Sequence, residues 1–256
     1  MTDIFGKFLN DYSKNKKVVY FIRRDDGFFN KAQDVKIYFS KYREWKKSEK
    51  EILKYVRGKV LDIGAGAGRH SLYLQNKGFK VWALDISPGA VKLMQKRGIK
   101  NVVLMDLRKL NFPKNYFDTT LLMFNNFGLA GSVRQTRKFL KNLYKITTPR
   151  GRIIATIRNP YKTKNPKHLA YHQKNIKAGK PAGLIKIRIE YKKEKGNWFL
   201  ILMVSPSELE KLLLGTGWKI LKIIEERDGT YGVVLKKFST RPGRPFFWNY
   251  SKVAAR

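Results

Sequence analysis

Apolar residues in this chain fall into short runs that alternate with helical patterns. Val60, Leu61 and Ile63 form one run, Lys80 to Asp85 a second, Val102 to Met105 a third, Thr119 to Phe124 a fourth and Ile153 to Ile157 a fifth. Runs of this length bounded by turn residues suit buried strands. Between them the period changes. Tyr42, Trp45, Glu49, Ile52, Leu53 and Val56 fall near one face of a helix expected over Ser40–Arg57, with Gly58 as its left-handed cap. Ser87-Pro88 reads as an N-cap with proline in the first turn, opening a helix that runs to Gly98. Ser132 to Ile146 is strongly amphipathic. Strands alternating with helices predict an α/β fold around a largely parallel sheet.

After the fifth strand the pattern departs from that alternation. Tyr161 to Pro181, rich in Lys and Pro, reads as an inserted basic loop, and a β-hairpin follows. Its first strand carries Ile185, Ile187, Ile189 and Tyr191, and its second is the apolar run Trp198 to Val204, with Lys195-Gly196-Asn197 as the expected turn. Ser205-Pro206-Ser207-Glu208 is a capping box that starts a helix. Trp218 to Ile224 and Tyr231 to Phe238 close the chain's regular part as an antiparallel pair, ahead of a basic, aromatic tail over 239–256. Residues 1–39 contain a candidate short strand at Val18–Ile22, an Asp-Gly turn and several aromatics. They form a candidate lid over the site, or packing against the main domain of 40–238, whose insertion covers about 159–204.

The candidate chemistry lies in Asp62-Ile63-Gly64-Ala65-Gly66-Ala67-Gly68-Arg69-His70. A glycine loop between a strand and a helix lets a ligand approach the backbone, beside the free N–H groups of the helix start. The next strand ends at Asp85, placed to accept hydrogen bonds from a ribose diol. Only four acids occur in residues 58–130: Asp62, Asp85, Asp106 and Asp118.

With Asp85-Ile86-Ser87-Pro88, Met105-Asp106-Leu107 and Tyr116 to Met123, these residues resemble the class I S-adenosylmethionine-dependent methyltransferases. The likeness covers roughly residues 40 to 238. It implies a Rossmann-like, mostly parallel seven-stranded sheet with S-adenosylmethionine as cofactor. It also implies a cofactor site of Asp62, Gly64, Ala65, Gly66, Gly68, Arg69, Asp85, Ile86, Asp106 and Leu107. In that family Asp62 holds the amino-acid end through the loop, Asp85 the ribose hydroxyls, and Asp106 with the Leu107 backbone the adenine. Asn125, Asn126 and Phe127, after the fourth strand, stand where the family keeps acceptor-facing residues. Amino-directed nucleic-acid members carry an Asn- or Asp-Pro-Pro-aromatic tetrapeptide there, and this chain has no prolines in its version.

Charge adds a partner question. The chain carries a net charge of +36, and residues 131–204 hold 19 Lys and Arg against 2 acids. Arg134, Lys138, Lys141 and Lys145 form one stripe of the amphipathic helix, and Lys186, Arg188 and Lys192 one face of the hairpin. A localised basic surface fits a polyanion, RNA before DNA, while a solvated basic surface is the plainer reading. The competing acceptor is a small molecule or a protein, and a cofactor-binding module without catalysis is a third reading. Cysteine is absent, which excludes thiolate metal sites and any cysteine nucleophile. His168 and His172 would share a helical face, but the scarcity of acids around them leads us to expect no metal. No signal peptide or membrane-spanning run is visible, so the expected address is cytoplasmic; the pattern sets no oligomeric state.

Overall fold

The computed structural model describes residues 2–31 and 34–238; the expected basic tail over 239–256 lies outside them. The elements in chain order begin with α1 (Ile4–Ser13), β1 (Phe21–Arg24), β2 (Phe29–Lys31), α2 (Lys47–Leu53), β3 (Val60–Ile63) and α3 (Arg69–Asn76). They continue with β4 (Val81–Asp85), α4 (Pro88–Lys96), β5 (Asn101–Leu104), β6 (Phe117–Leu122), α5 (Val133–Ile146) and β7 (Thr147–Arg158). Then come α6 (Pro166–Lys177), β8 (Leu184–Tyr191), β9 (Glu194–Lys195), β10 (Phe199–Leu202), α7 (Pro206–Leu213), β11 (Trp218–Glu225) and β12 (Thr230–Lys237).

Seven strands form the main sheet in the order β11-β12-β7-β6-β3-β4-β5. β3 runs parallel to β4 and β6, β4 to β5, and β6 to β7, while β12 is antiparallel to both β7 and β11. This is the expected Rossmann-like sheet. β3 is buried at every residue, as a central parallel strand covered by helices on both faces must be. The larger core joins Leu61, Ile63, Phe117 and Ile153 to Phe139, Leu140 and Leu143 of α5 and Leu209 of α7. The other face packs Val60, Val81, Leu121 and Val234 against Trp45, Ile52 and Leu74. The strand order reverses between β3 and β6. Ligands of open α/β sheets bind at that switch, beyond the carboxyl ends of the strands.

A second, antiparallel sheet runs β10-β8-β1-β2, with β9 paired to β8. It unites the inserted hairpin with the N-terminal segment: Arg23 lies opposite Arg188, and Ile22 opposite Ile189.

Several local expectations change in the folded chain. The helix over Ser40–Arg57 reduces to α2, because Trp45 is buried and donates its ring N–H to Ser40 O (3.1 Å), while Glu44 accepts from the Lys41 N–H. Gly58 has φ +54° but caps no helix: a Cβ there would lie 2.0 Å from the Asp118 carboxylate, which accepts the Lys59 N–H. The first strand is β1, displaced from Val18–Ile22. The basic loop contains α6, with Asn165 as its N-cap and Pro166 in its first turn. The hairpin turns at Lys192-Lys193, both at positive φ, rather than at Lys195–Asn197. The hairpin's basic stripe is also broken. Glu190 stands between Arg188 and Lys192 on that face and pairs with Arg23 (2.8 Å) and Arg188 (2.7 Å). The stripe on α5 forms as expected, with Arg134, Lys138, Lys141 and Lys145 exposed and Phe139, Leu140, Leu143 and Ile146 buried.

Candidate cofactor and acceptor site

The loop after β3 and the loop after β6 flank the switch point. Gly64 and Gly66 take φ of +71° and +60°, a region costly for residues with a Cβ. Gly64 N–H donates to Leu84 O (2.8 Å), which holds the loop against β4. A Cβ on Gly64 would meet the Asn126 amide at 2.5 Å. Asn126 needs that space: its Nδ2 donates to Ile63 O (2.8 Å) and Gly64 O (2.9 Å), tying the β6 end to the glycine loop.

The acids sit as the sequence places them. Asp62, 2% exposed, accepts from Ser71 Oγ (2.6 Å), and burial raises its pKa. Asp85 at the β4 tip accepts the Gly66 N–H on one oxygen (2.9 Å) and the Ser87 N–H on the other (3.0 Å). Burial outweighs these bonds and pushes the Asp85 pKa up to about 6. Ile86 beside it is exposed. Asp106 caps the short turn Leu107–Lys109, and Arg108 grips its carboxylate and holds its pKa below the ordinary value. Leu107 is half-buried against the main core.

Arg69 and His70 open α3 and share one buried carboxylate. Arg69 Nη2 and His70 Nε2 lie 2.5 and 2.6 Å from Glu49 Oε1. Burial alone would raise the Glu49 pKa, but His70 and Arg69 together hold it below the ordinary value. The Arg69 guanidinium also bonds Ser40 Oγ (2.7 Å) and covers the Phe124 ring, 4.2 Å from its centroid. Its Nε is buried without a partner among the described residues. Sequence reasoning missed Glu49 as a site residue. The signal was an acid in phase with Tyr42, Trp45 and Ile52 on the inward side of a helix.

Residues after β6 are turned inward. Phe124 and Asn125 both have positive φ (+53° and +65°), and Thr156 holds the pair: its Oγ1 accepts the Phe124 N–H (2.7 Å) and its carbonyl the Asn125 N–H (3.0 Å). Asn125 Oδ1 accepts the Arg158 N–H (2.6 Å), and Phe127 is fully buried in the main core. The structure therefore brings Asn126 to the glycine loop, while Asn125 braces β7 and Phe127 packs into the main core.

The N-terminal segment covers the loop. Rings of Phe5 and Tyr38 come within 3.5 and 3.7 Å of where a Gly66 Cβ would lie. Asp3 anchors this cover, accepting from Gly6 N–H (2.9 Å), Ser87 Oγ (2.8 Å) and Gly89 N–H (2.7 Å), so it caps α1 and braces the start of α4. His168 and His172 lie on α6. Burial and then neighbouring cations lower both pKa values, and no cluster able to hold a metal occurs among the described residues.

Residues 60–151 match the family model of a methyltransferase domain. The chain is 31% identical over 114 residues to a demethylmenaquinone methyltransferase of Renibacterium salmoninarum, spanning 44% of this chain and 46% of that protein. It is 34% identical over 97 residues to the Paenarthrobacter aurescens protein of the same name, spanning 38% and 37%. The chain thus spans about half the length, or less, of these curated relatives. A Bacteroides fragilis S-adenosylmethionine-dependent methyltransferase, solved with S-adenosyl-L-homocysteine, superposes with a TM-score of 0.78 at 26% identity, over 93% of this chain and 95% of that one.

Residues 60–151 thus carry a methyltransferase domain, in a chain with the fold of an S-adenosylmethionine-dependent methyltransferase, and S-adenosylmethionine is its cofactor. The residues present fit that group. The positive-φ loop leads directly into the start of α3, Asp85 offers acceptors for a diol, and the unpartnered Arg69 Nε suits a carboxylate at the amino-acid end.

Proposed function

We propose that the chain transfers a methyl group from S-adenosylmethionine to a nucleophile on a small-molecule acceptor. The observation that carries the choice of acceptor is the cover: Phe5 and Tyr38 pack over Gly66, and Asp62, Gly66 and Asp85 are all buried, a geometry that suits an enclosed acceptor. The quinone named by the curated relatives and the lack of prolines after β6 support the same reading. Asp62 to Gly68, Arg69, Asp85, Ile86, Asp106 and Leu107 form the proposed cofactor site.

When bound, the cofactor supplies an electrophilic methyl on a positively charged sulfur. What the chain does is alignment, which supplies most of the acceleration in an in-line displacement. Asp85 orients the ribose, the glycine loop and Arg69 the amino-acid end, and the cover excludes water. Asn126 is a positioning residue that keeps the loop in register with β6. In Asn126→Ala, cofactor affinity and turnover should fall together; loss of turnover alone would mark it as acceptor-facing instead.

A labelled methyl group supplied to cell extract, then split into RNA, DNA, protein and small-molecule fractions, tests the acceptor class. Label confined to small molecules supports the proposal, and label in a polymer fraction overturns it.

The second reading, an RNA acceptor, is favoured by the exposed α5 stripe and by the outer face of the small sheet. There Arg188 lies over Trp198 (4.7 Å) and Arg23 over Phe29 (4.5 Å), with both rings partly exposed. Aromatics interleaved with bases suit single strands. Under that reading, RNA retention weakens by about 0.7–0.9 log units per log unit of salt for each phosphate neutralised. Changing Arg134, Lys138 and Lys141 together to Glu then lowers that slope without altering cofactor affinity.

A further inference from the structure

Tyr38 comes from the N-terminal segment, far in sequence from the glycine loop, yet it stands at the centre of the site. A short turn over Val35–Phe39, capped by Asp34, delivers it. Its ring contacts the Gly66 side of the loop, meets Phe5 edge-on (5.5 Å between centroids) and leans on Phe124 (6.0 Å). Its hydroxyl is 3.3 Å from that of Tyr20. Burial raises the Tyr38 pKa, and the charges of Asp85 and Arg69 both reach the hydroxyl with opposite effects. Tyr38 therefore stands between Gly66, whose N–H bonds the acid that would hold the ribose, and Phe124, whose ring is covered by the arginine that would hold the amino-acid end.

The covalent structure of S-adenosylmethionine supplies the next step. Its sulfur joins the ribose carbon to the amino-acid chain, so a group lying between the holders of those two ends faces the sulfur. The groups there are aromatic rings. One of them is aimed at a cost: Phe124 keeps φ at +53°, a conformation disfavoured for a residue with a Cβ, under the two bonds from the Phe124 and Asn125 N–H groups to Thr156. Aromatic faces attract cations, and more strongly when the pair is desolvated. A charged sulfonium gains from such a wall, and the neutral thioether left after transfer does not.

We propose that Tyr38, with Phe5 and Phe124, forms an aromatic wall that recognises the positive charge of the cofactor, so that the chain prefers the charged methyl donor over its neutral product. The inference rests on the methyltransferase reading and adds to it the residues that tell donor from product. It also gives the cover a part in turnover, since loss of the charge loosens the product's hold.

Calorimetric titration of the full chain with S-adenosylmethionine and with S-adenosylhomocysteine tests this. In Tyr38→Leu, donor affinity should fall about 10-fold while product affinity stays within about 2-fold. Tyr38→Phe, which keeps the π face, should preserve the donor-to-product ratio. Equal loss of both ligands in Tyr38→Leu would overturn the proposal, leaving Tyr38 a plain wall. A changed ratio in Tyr38→Phe would overturn it in favour of the hydroxyl. Should Tyr38→Leu lose its fold by circular dichroism, Phe124→Leu carries the same comparison: a fall in donor affinity alone supports the wall, and equal loss of both ligands overturns it. Wild-type chain that binds neither ligand would instead bring down the methyltransferase reading, and this inference with it.

Discussion

In the β3-β4-β5 part of the main sheet, neighbouring strands come from nearby stretches of chain: Val60 pairs with Val81, and Trp82 with Asn101. In the small sheet, Arg23 of the N-terminal segment lies opposite Arg188 of the insertion. The main sheet's central strands are buried, and three of its acids, Asp62, Asp85 and Asp106, gather at one end, at the tips of β3 and β4 and just beyond β5. The small sheet keeps one face toward α1 and the other toward solvent, where its charges pair across strands. The family match over residues 60–151 stays within the main sheet and its helices. The cofactor half is therefore a nearly self-contained scaffold. The parts that cover it are assembled from both sides of that stretch and meet it through a few buried polar joints.

Breaking the joint at Glu49 should have the largest effect. Glu49→Ala strips a buried arginine and a buried histidine of their shared carboxylate, and loss of one partner of a buried pair costs about 3–5 kcal/mol. Denaturant unfolding would measure it. A loss below about 1 kcal/mol would mean that the Arg69–His70 pair has an alternative partner.

Asp85 separates stability from binding. Asp85→Asn should weaken S-adenosylmethionine by about 10- to 100-fold in calorimetric titration, from the loss of charged acceptors. Its stability at neutral pH should change little, because relief of the buried charge is offset by the loss of one acceptor: the amide has a single oxygen for the Gly66 and Ser87 N–H groups. In the wild type the sign follows from the raised pKa. The unfolded carboxyl titrates near 3.8 and the folded one near 6, so the native chain binds more protons within that window. The contribution of Asp85 to stability therefore grows as pH falls from 6 toward 4, whereas cofactor affinity falls over the same range as the acceptor is protonated. Titrations at pH 7.5 and 5.0 should differ in wild type and agree in Asp85→Asn.

Asp3→Ala should loosen the cover and leave the scaffold intact. Removing a cap costs about 0.5–2 kcal/mol, and here the loss falls on α1 and the start of α4. Hydrogen exchange should speed up in α1 while the protection of β3 and β6 stays unchanged. Equal acceleration throughout would show that the cover and the scaffold open as one unit.

The smallest expected effect is at Thr156. Thr156→Val removes the hydroxyl that accepts the Phe124 N–H, at a cost of about 1 kcal/mol in unfolding experiments. If Phe124 helps to recognise charge, the donor-to-product affinity ratio falls with it.

Signals contained within a few residues were legible in the sequence. The capping box at Ser205, the Ser87-Pro88 helix start, the inward and outward faces of α5, and the strand–glycine–helix unit ending in Asp85 all formed as read. Each depends on contacts three or four residues apart, or on a period that one element imposes on itself. Even local signals failed where a buried side chain took priority. Trp45 turned the chain ahead of α2, and the bases of 161–181 obscured the Asn165-Pro166 start of α6. Asn126 was placed beside the site from its position after a strand, but only packing showed that its amide bonds the glycine loop. Nothing in the spacing of Glu49 names Arg69 and His70 as its partners, nothing in Glu190 announces Arg23, and nothing in Tyr38 points to Gly66. The cofactor scaffold could be read from the order of residues, because strand period, glycine freedom and helix caps act locally. How that scaffold is closed emerged only in the folded chain, because partners far apart in sequence are chosen by which surfaces the finished core leaves to be covered.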